Sequence, residues 1–91
     1  MKGAIIKGVN ERGEEAIKQA YKESVGIRNR IKFRAMGFKQ NLVNKNPYTL
    51  EFQINKPDLQ TALIPEDFKN MIKRVMRENG AEDSDYTIEV Y

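Results

Sequence analysis

A small two-layer α+β domain, with helices packed on one face of a short sheet, is the fold predicted here, on three observations. Tyr48, Leu50, Phe52 and Ile54 alternate with Thr49, Glu51 and Gln53, which is the period of a half-buried strand. Phe68, Met71, Ile72, Val75 and Met76 recur instead every three or four positions, the period of a helix with one apolar stripe. The chain has 91 residues, 40% of them hydrophobic, which is enough for one core and too few for two. Residues 1–91 therefore read as a single α+β domain.

Taken in order, Met1 to Gly8 reads as a short strand. Asn10 is a helix N-cap candidate, followed by Glu11, Glu14 and Glu15, which suit the positive end of a helix dipole. Ile17, Ala20, Ser24, Ile27, Ile31, Ala35 and Phe38 then continue a helical stripe. Two features complicate that stripe. Gly26 before Ile27 is the pattern of a helix stop, and residues 27–35 also alternate apolar and charged, with Asn29 as the exception. An unbroken helix from Glu11 to Met36 would run about 39 Å, whereas strands of about seven residues reach only about 23 Å. A helix interrupted at Gly26 and resuming to a cap at Met36-Gly37-Phe38 is the expectation, with a strand over 27–35 as the rival.

Asn44-Lys45-Asn46-Pro47 is rich in turn formers, so Phe38 to Val43 should pair as a hairpin with the strand that begins at Tyr48. Asn55 to Leu63 reads as a connecting loop. Pro65 suits the first turn of a helix whose later turns carry Lys73, Arg74 and Arg77, and Gly80 ends it. Met71 and Met76 sit at core spacing and are expected to be packing residues. Tyr86, Ile88 and Val90 alternate as a last strand. The natural closure is a ferredoxin-like β-α-β-β-α-β sandwich, the alternative being a KH-like β-α-α-β-β-α order with an added C-terminal strand.

Composition narrows the chemistry. With no cysteine, disulfides, thiolate metal sites and thiol nucleophiles are excluded. With no histidine, imidazole zinc sites, Ser-His triads and a ready general base near neutral pH go as well. No catalytic residue, metal site or cofactor is expected. Asp83-Ser84-Asp85 resembles a fragment of a calcium loop, but the spacing and terminal Glu of an EF-hand are missing, so a solvated turn is the expectation. No apolar run approaches the roughly 18 residues of a membrane span, and Ala4-Ile5-Ile6 is too short for a signal-peptide core. Cytoplasmic residence is expected, away from membranes.

Charge carries the strongest functional signal. Between Glu23 and Glu51 there is no acid, while Arg28, Arg30, Lys32, Arg34, Lys39 and Lys45 all fall there. The C-terminal stretch runs the other way, with Glu82, Asp83, Asp85 and Glu89. In a strand, Arg28 to Arg34 would line one face over about 20 Å; in a helix they would flank the apolar stripe. Either way the field attracts phosphates. Arg28, Arg30, Lys32, Arg34 and Lys39 are the expected nucleic-acid-binding residues of a non-catalytic module for RNA or DNA. The competing expectation is a solvated face neutralised by Glu82, Asp83 and Asp85 folding back over it. Base stacking is not expected on the Tyr48–Ile54 strand, because its aromatics share the core face and leave Thr49, Glu51 and Gln53 on the other.

Two family resemblances bear on this reading. Val25-Gly26-Ile27-Arg28-Asn29-Arg30-Ile31-Lys32 resembles the helix-loop-helix of KH domains, where a loop with a glycine at each end clamps the nucleic-acid backbone. Here Asn29 stands in place of the second glycine and brings a side chain into the clamp. Ala35 to Asn44, followed by a turn and a strand, resembles the middle of acylphosphatases. That resemblance implies an Arg holding an acyl phosphate, matched by Arg12, and an Asn positioning water, matched by Asn44. The loop from Gly8 to Glu15 departs from the family's loop, and its glutamates would repel the substrate. The last strand leaves a sheet edge open on which a homodimer or a protein partner could dock, the competing expectation being an ordinary edge strand protected by Glu89.

Overall fold

The computed structural model describes residues 1–24 and 34–91. Strand β1 (Gly3–Gly8) leads into helix α1 (Glu11–Ser24), then come β2 (Phe38–Lys45), β3 (Tyr48–Ile54), the short helix α2 (Pro57–Ala62), helix α3 (Pro65–Glu78), a 3₁₀ turn (Asp83–Asp85) and β4 (Tyr86–Val90). The four strands form one antiparallel sheet in the order β2-β3-β1-β4. The result is a small α+β domain.

Local chemistry explains the helix limits. Asn10 caps α1 by accepting the Gly13 N–H on its side-chain oxygen at 2.9 Å. Helix α3 opens on Pro65 with Glu66 and Asp67 in its first turn. It closes in a Schellman arrangement: Gly80 takes φ +93°, its N–H reaches the Arg77 carbonyl, and the Ala81 N–H reaches that of Met76. Residues 34–36 are helical and end on Gly37 at φ +92°, as the cap at Met36-Gly37-Phe38 anticipated. The interruption at Gly26 and the helix-or-strand choice over 27–33 lie outside the described residues.

The apolar stripes meet between the layers. Ala4 and Ile6 of β1, Leu50, Phe52 and Ile54 of β3, Ile17 of α1, and Phe68, Ile72 and Met76 of α3 make one buried cluster. Phe38 stacks on Phe68 at 6.1 Å between ring centres and ties β2 to α3.

Four expectations need correction. Residues 55–63 are not all loop, because Pro57 starts α2 and Leu59 packs against the core. Ala35 is exposed, so the α1 stripe does not run through it to Phe38. Met71 is 37% exposed; it lies at helical spacing but on the rim of the stripe, and Met76 alone of the pair is buried. Thr49 is buried, its hydroxyl donating to the Pro47 carbonyl within the turn.

Candidate nucleic-acid interface

The antiparallel order gives the sheet two ends of opposite character. At one end β1 and β2 begin and β3 and β4 finish. Here the Asn55 N–H donates to the Gly37 carbonyl at 2.7 Å, and the Ile54 N–H donates to the Lys2 carbonyl at 2.9 Å. The Lys56 ammonium donates to the Ala35 carbonyl at 2.8 Å, fastening the helical residues 34–36 to the segment after β3.

Of the five expected binding residues, Arg34 and Lys39 are described, and both are exposed. Arg34 precedes the Gly37 turn. Lys39 lies opposite Gln53 and alternates with buried Phe38, so it stands on the sheet face away from the helices. Arg28, Arg30 and Lys32 lie outside the described residues. Lys45 parts from the group: it ends β2 opposite Tyr48, about 20 Å along the strand from Lys39. In its place the fold brings exposed Lys2 and Lys56 to the same end as Arg34 and Lys39. Neither belongs to the acid-free stretch, and only strand register could have found them. Exposed Asp58, in the first turn of α2, is an acid of this end.

The open sheet face carries Gln53 and Glu51 of β3, and Glu51 accepts from the Gln53 amide at 3.1 Å. The Tyr91 hydroxyl crosses β1 over Gly3 and donates to Glu51 at 2.5 Å. Desolvation first, and then the neighbouring carboxylate, push the Tyr91 hydroxyl up to about 12.

No family model, curated protein or solved structure matches the chain.

The opposite end holds the acids of the 82–85 turn. Asp85 is 1% exposed, against the expectation of a solvated turn. Its carboxylate accepts from Arg12 at 2.6 and 3.2 Å, from the Asn10 amide at 2.8 Å and from the Glu82 N–H at 2.8 Å. The Arg12 hydrogen bond, then those from Asn10 and the Glu82 backbone, hold this carboxyl at about 2, below its ordinary value, despite the opposing effect of burial. The same contact raises the Arg12 guanidinium. Glu82 adds a second carboxylate 3.5 Å from Arg12, and Asp83 lies 3.4 Å from Arg77. Nearby, Glu14 accepts the Tyr48 N–H at 3.1 Å, and Asn44 accepts the Asn46 N–H at 3.2 Å. The carboxylates of Glu82, Asp83 and Asp85 thus have cationic partners in Arg12 and Arg77. Sequence reasoning missed the Arg12–Asp85 pair because 73 positions separate its members.

Proposed function

We propose that the chain is a non-catalytic module that binds the phosphate backbone of RNA or DNA through Arg28, Arg30, Lys32, Arg34 and Lys39, with Lys2 and Lys56 at the same end of the sheet as Arg34 and Lys39. The observation that carries this reading is the engagement of the acidic tail. Glu82, Asp83 and Asp85 are the acids that could have folded over the basic run, and they hold Arg12 and Arg77 instead. Exposed Arg34 and Lys39 support the same reading. A nucleic-acid partner also agrees with the expected cytoplasmic residence.

The strand order supports a ferredoxin-like plan over a KH-like one, since β4 pairs with β1 along its whole length. An acylphosphatase-like hydrolase is disfavoured, because Asp85 and Glu82 occupy the guanidinium that a phosphate would need.

A fluorescent duplex titrated with the protein at increasing salt tests the proposal. If three or four cations contact phosphates, log affinity should fall against log salt with a slope of about −3. Arg30→Glu with Arg34→Glu should weaken binding to all sequences alike. Absent binding at low ionic strength, or binding indifferent to salt, would overturn it.

A second reading, assembly through a sheet edge, is favoured by the backbone of β4. Gly3 and Tyr91 exchange hydrogen bonds, so Ile5/Glu89 and Lys7/Thr87 are the bonded pairs of that ladder. Tyr86, Ile88 and Val90 consequently turn their N–H and C=O groups outward, where no strand lies among the described residues.

A further inference from the structure

We infer that β4 pairs antiparallel with the β4 of a second copy of this chain, about a twofold axis at Ile88, joining the two sheets into one. The inference rests on the assembly reading above and adds the edge, the occupant and the register.

The choice of edge follows from how the two outer strands are finished. Strand β2 has a register break between Leu42 and Asn44, turns Val43 out to 57% exposure, and carries Lys39 and Lys45. Bulges and lysines are the usual means by which an edge strand avoids pairing. Strand β4 has no bulge, its register with β1 being unbroken from Tyr86 to Val90, and its one charged residue is Glu89.

The register follows from which backbone groups face out. Only pairings that set even-numbered residues against even-numbered residues bring outward N–H and C=O groups together. Centring on Thr87 would leave Val90 beyond the pairing and set Glu89 against Asp85. Centring on Glu89 would set two glutamates directly opposite, which is destabilising. Centring on Ile88 avoids both, with Ile88 against its twin and Val90 against the partner's Tyr86.

Side chains on both faces suit that arrangement. Ile88 and Val90 are only half-buried on the helix face, and with Pro65, Lys69, Glu89 and Tyr91 they line a concavity along the β4 edge, the surface a second strand would cover. On the open face, Glu89 would stand opposite the partner's Thr87, whose own β1 neighbour is Lys7. Glu89 and the partner's Lys7 would then share a row two strand spacings apart, about 10 Å between Cα atoms, within reach of two long side chains. Acids and bases alternate around the axis, so the charges are self-complementary.

Three measurements on the full chain test this. Sedimentation equilibrium should give twice the monomer mass at high protein concentration. Amide exchange of the unmodified chain should slow at Ile88 and Val90 by at least about tenfold between dilute and concentrated samples, while amides of β2 do not change. Because the chain has no cysteine, Ile88→Cys should form a single intermolecular disulfide, the bonded pair placing Cα atoms about 5.5 Å apart. It should form at least about tenfold faster than the disulfide of Val43→Cys on the β2 edge. A monomer at every concentration would overturn both the inference and the assembly reading. Doubled mass with unprotected Ile88 and Val90 amides, or with faster cross-linking at Val43, would overturn the β4 contact and leave assembly standing. Should Ile88→Cys fail to fold, exchange of the unmodified chain decides.

Discussion

The two ends of the sheet handle charge in opposite ways. Where β1 runs into α1 and the 3₁₀ turn runs into β4, one carboxylate is buried and saturated: Asp85 accepts from Arg12, Asn10 and the Glu82 N–H. At the other end, Lys2, Arg34, Lys39 and Lys56 sit at the surface, and the contacts that fix the chain there are largely backbone hydrogen bonds. A buried ion that loses its partner costs far more than a surface ion that loses one. The difference teaches that charge is paired and buried at the first end, whereas at the second Arg34 and Lys39 stand exposed and Lys56 bonds a backbone carbonyl. Mutations should therefore register as lost stability at the first end and lost binding at the second.

The largest expected effect is at Gly13. A Cβ there would overlap the Asp85 backbone carbonyl, which cannot swing away as a side chain could. The Val9 N–H also donates to that carbonyl at 3.0 Å, so moving it would pull on the β1–α1 connection. Gly13→Ala should destabilise by about 3 kcal/mol, the upper part of the overpacking range. For a domain of this size, that is a fall in Tm of more than about 12 °C. A melt within about 2 °C of the unmodified chain would break the view that this end is rigidly packed.

Next comes a pair of arginines. Arg12→Ala strands the Asp85 carboxylate in its buried site, whereas Arg77→Ala releases Asp83 to solvent, the Arg77 and Asp83 side chains being 62% and 49% exposed. Arg77→Ala should cost no more than about 1 kcal/mol, as surface pairs do. Arg12→Ala should lower Tm clearly more, and equal losses in side-by-side thermal melts would remove the distinction between the two pairs.

The same carboxylate sets a pH dependence of intermediate size. Its folded value of about 2 lies below its ordinary 3.8, so folding favours the ionised form. That contribution is complete above the unfolded value and is lost as pH falls through the window from about 4 to 2. Tm of the unmodified chain should drop across that window, and Asp85→Asn should flatten part of the drop while lowering Tm at pH 7. Parallel curves for the two proteins would show that Asp85 does not carry the acid sensitivity.

How much of this was legible beforehand follows the physics of each feature. Strand β3 and helix α3 could be read because alternation in Tyr48–Ile54 and the three-to-four spacing in Phe68–Met76 are local consequences of backbone geometry. The caps at Asn10, Gly37 and Gly80 were legible for the same reason. Helix α2 was not, because Pro57 and Asp58 suit a loop as well as a first helical turn, and the contacts of Leu59 with the core and of the Gln60 amide with the Ile54 carbonyl are tertiary. Nor was the Arg12–Asp85 pair, which no periodicity encodes. The basic run was visible as a lack of acids in the chain. Lys2 and Lys56 join Arg34 and Lys39 only through strand pairing and the Ala35 contact.

The smallest expected effect on stability is the sharpest test of the comparison. Arg34→Glu with Lys39→Glu changes charge where both side chains are exposed, and Lys39 faces Gln53 across the β2–β3 ladder, away from the core. Surface substitutions of this kind usually stay within about 0.5 kcal/mol. If both cations contact phosphates as proposed, reversing them should make the slope of log affinity against log salt shallower by about 2. A double variant that melts unchanged yet loses its salt-dependent binding would separate folding charge from binding charge within one molecule. If it unfolded as readily as Arg12→Ala, the cations of this end would belong to the fold too, and the acidic end would no longer be special.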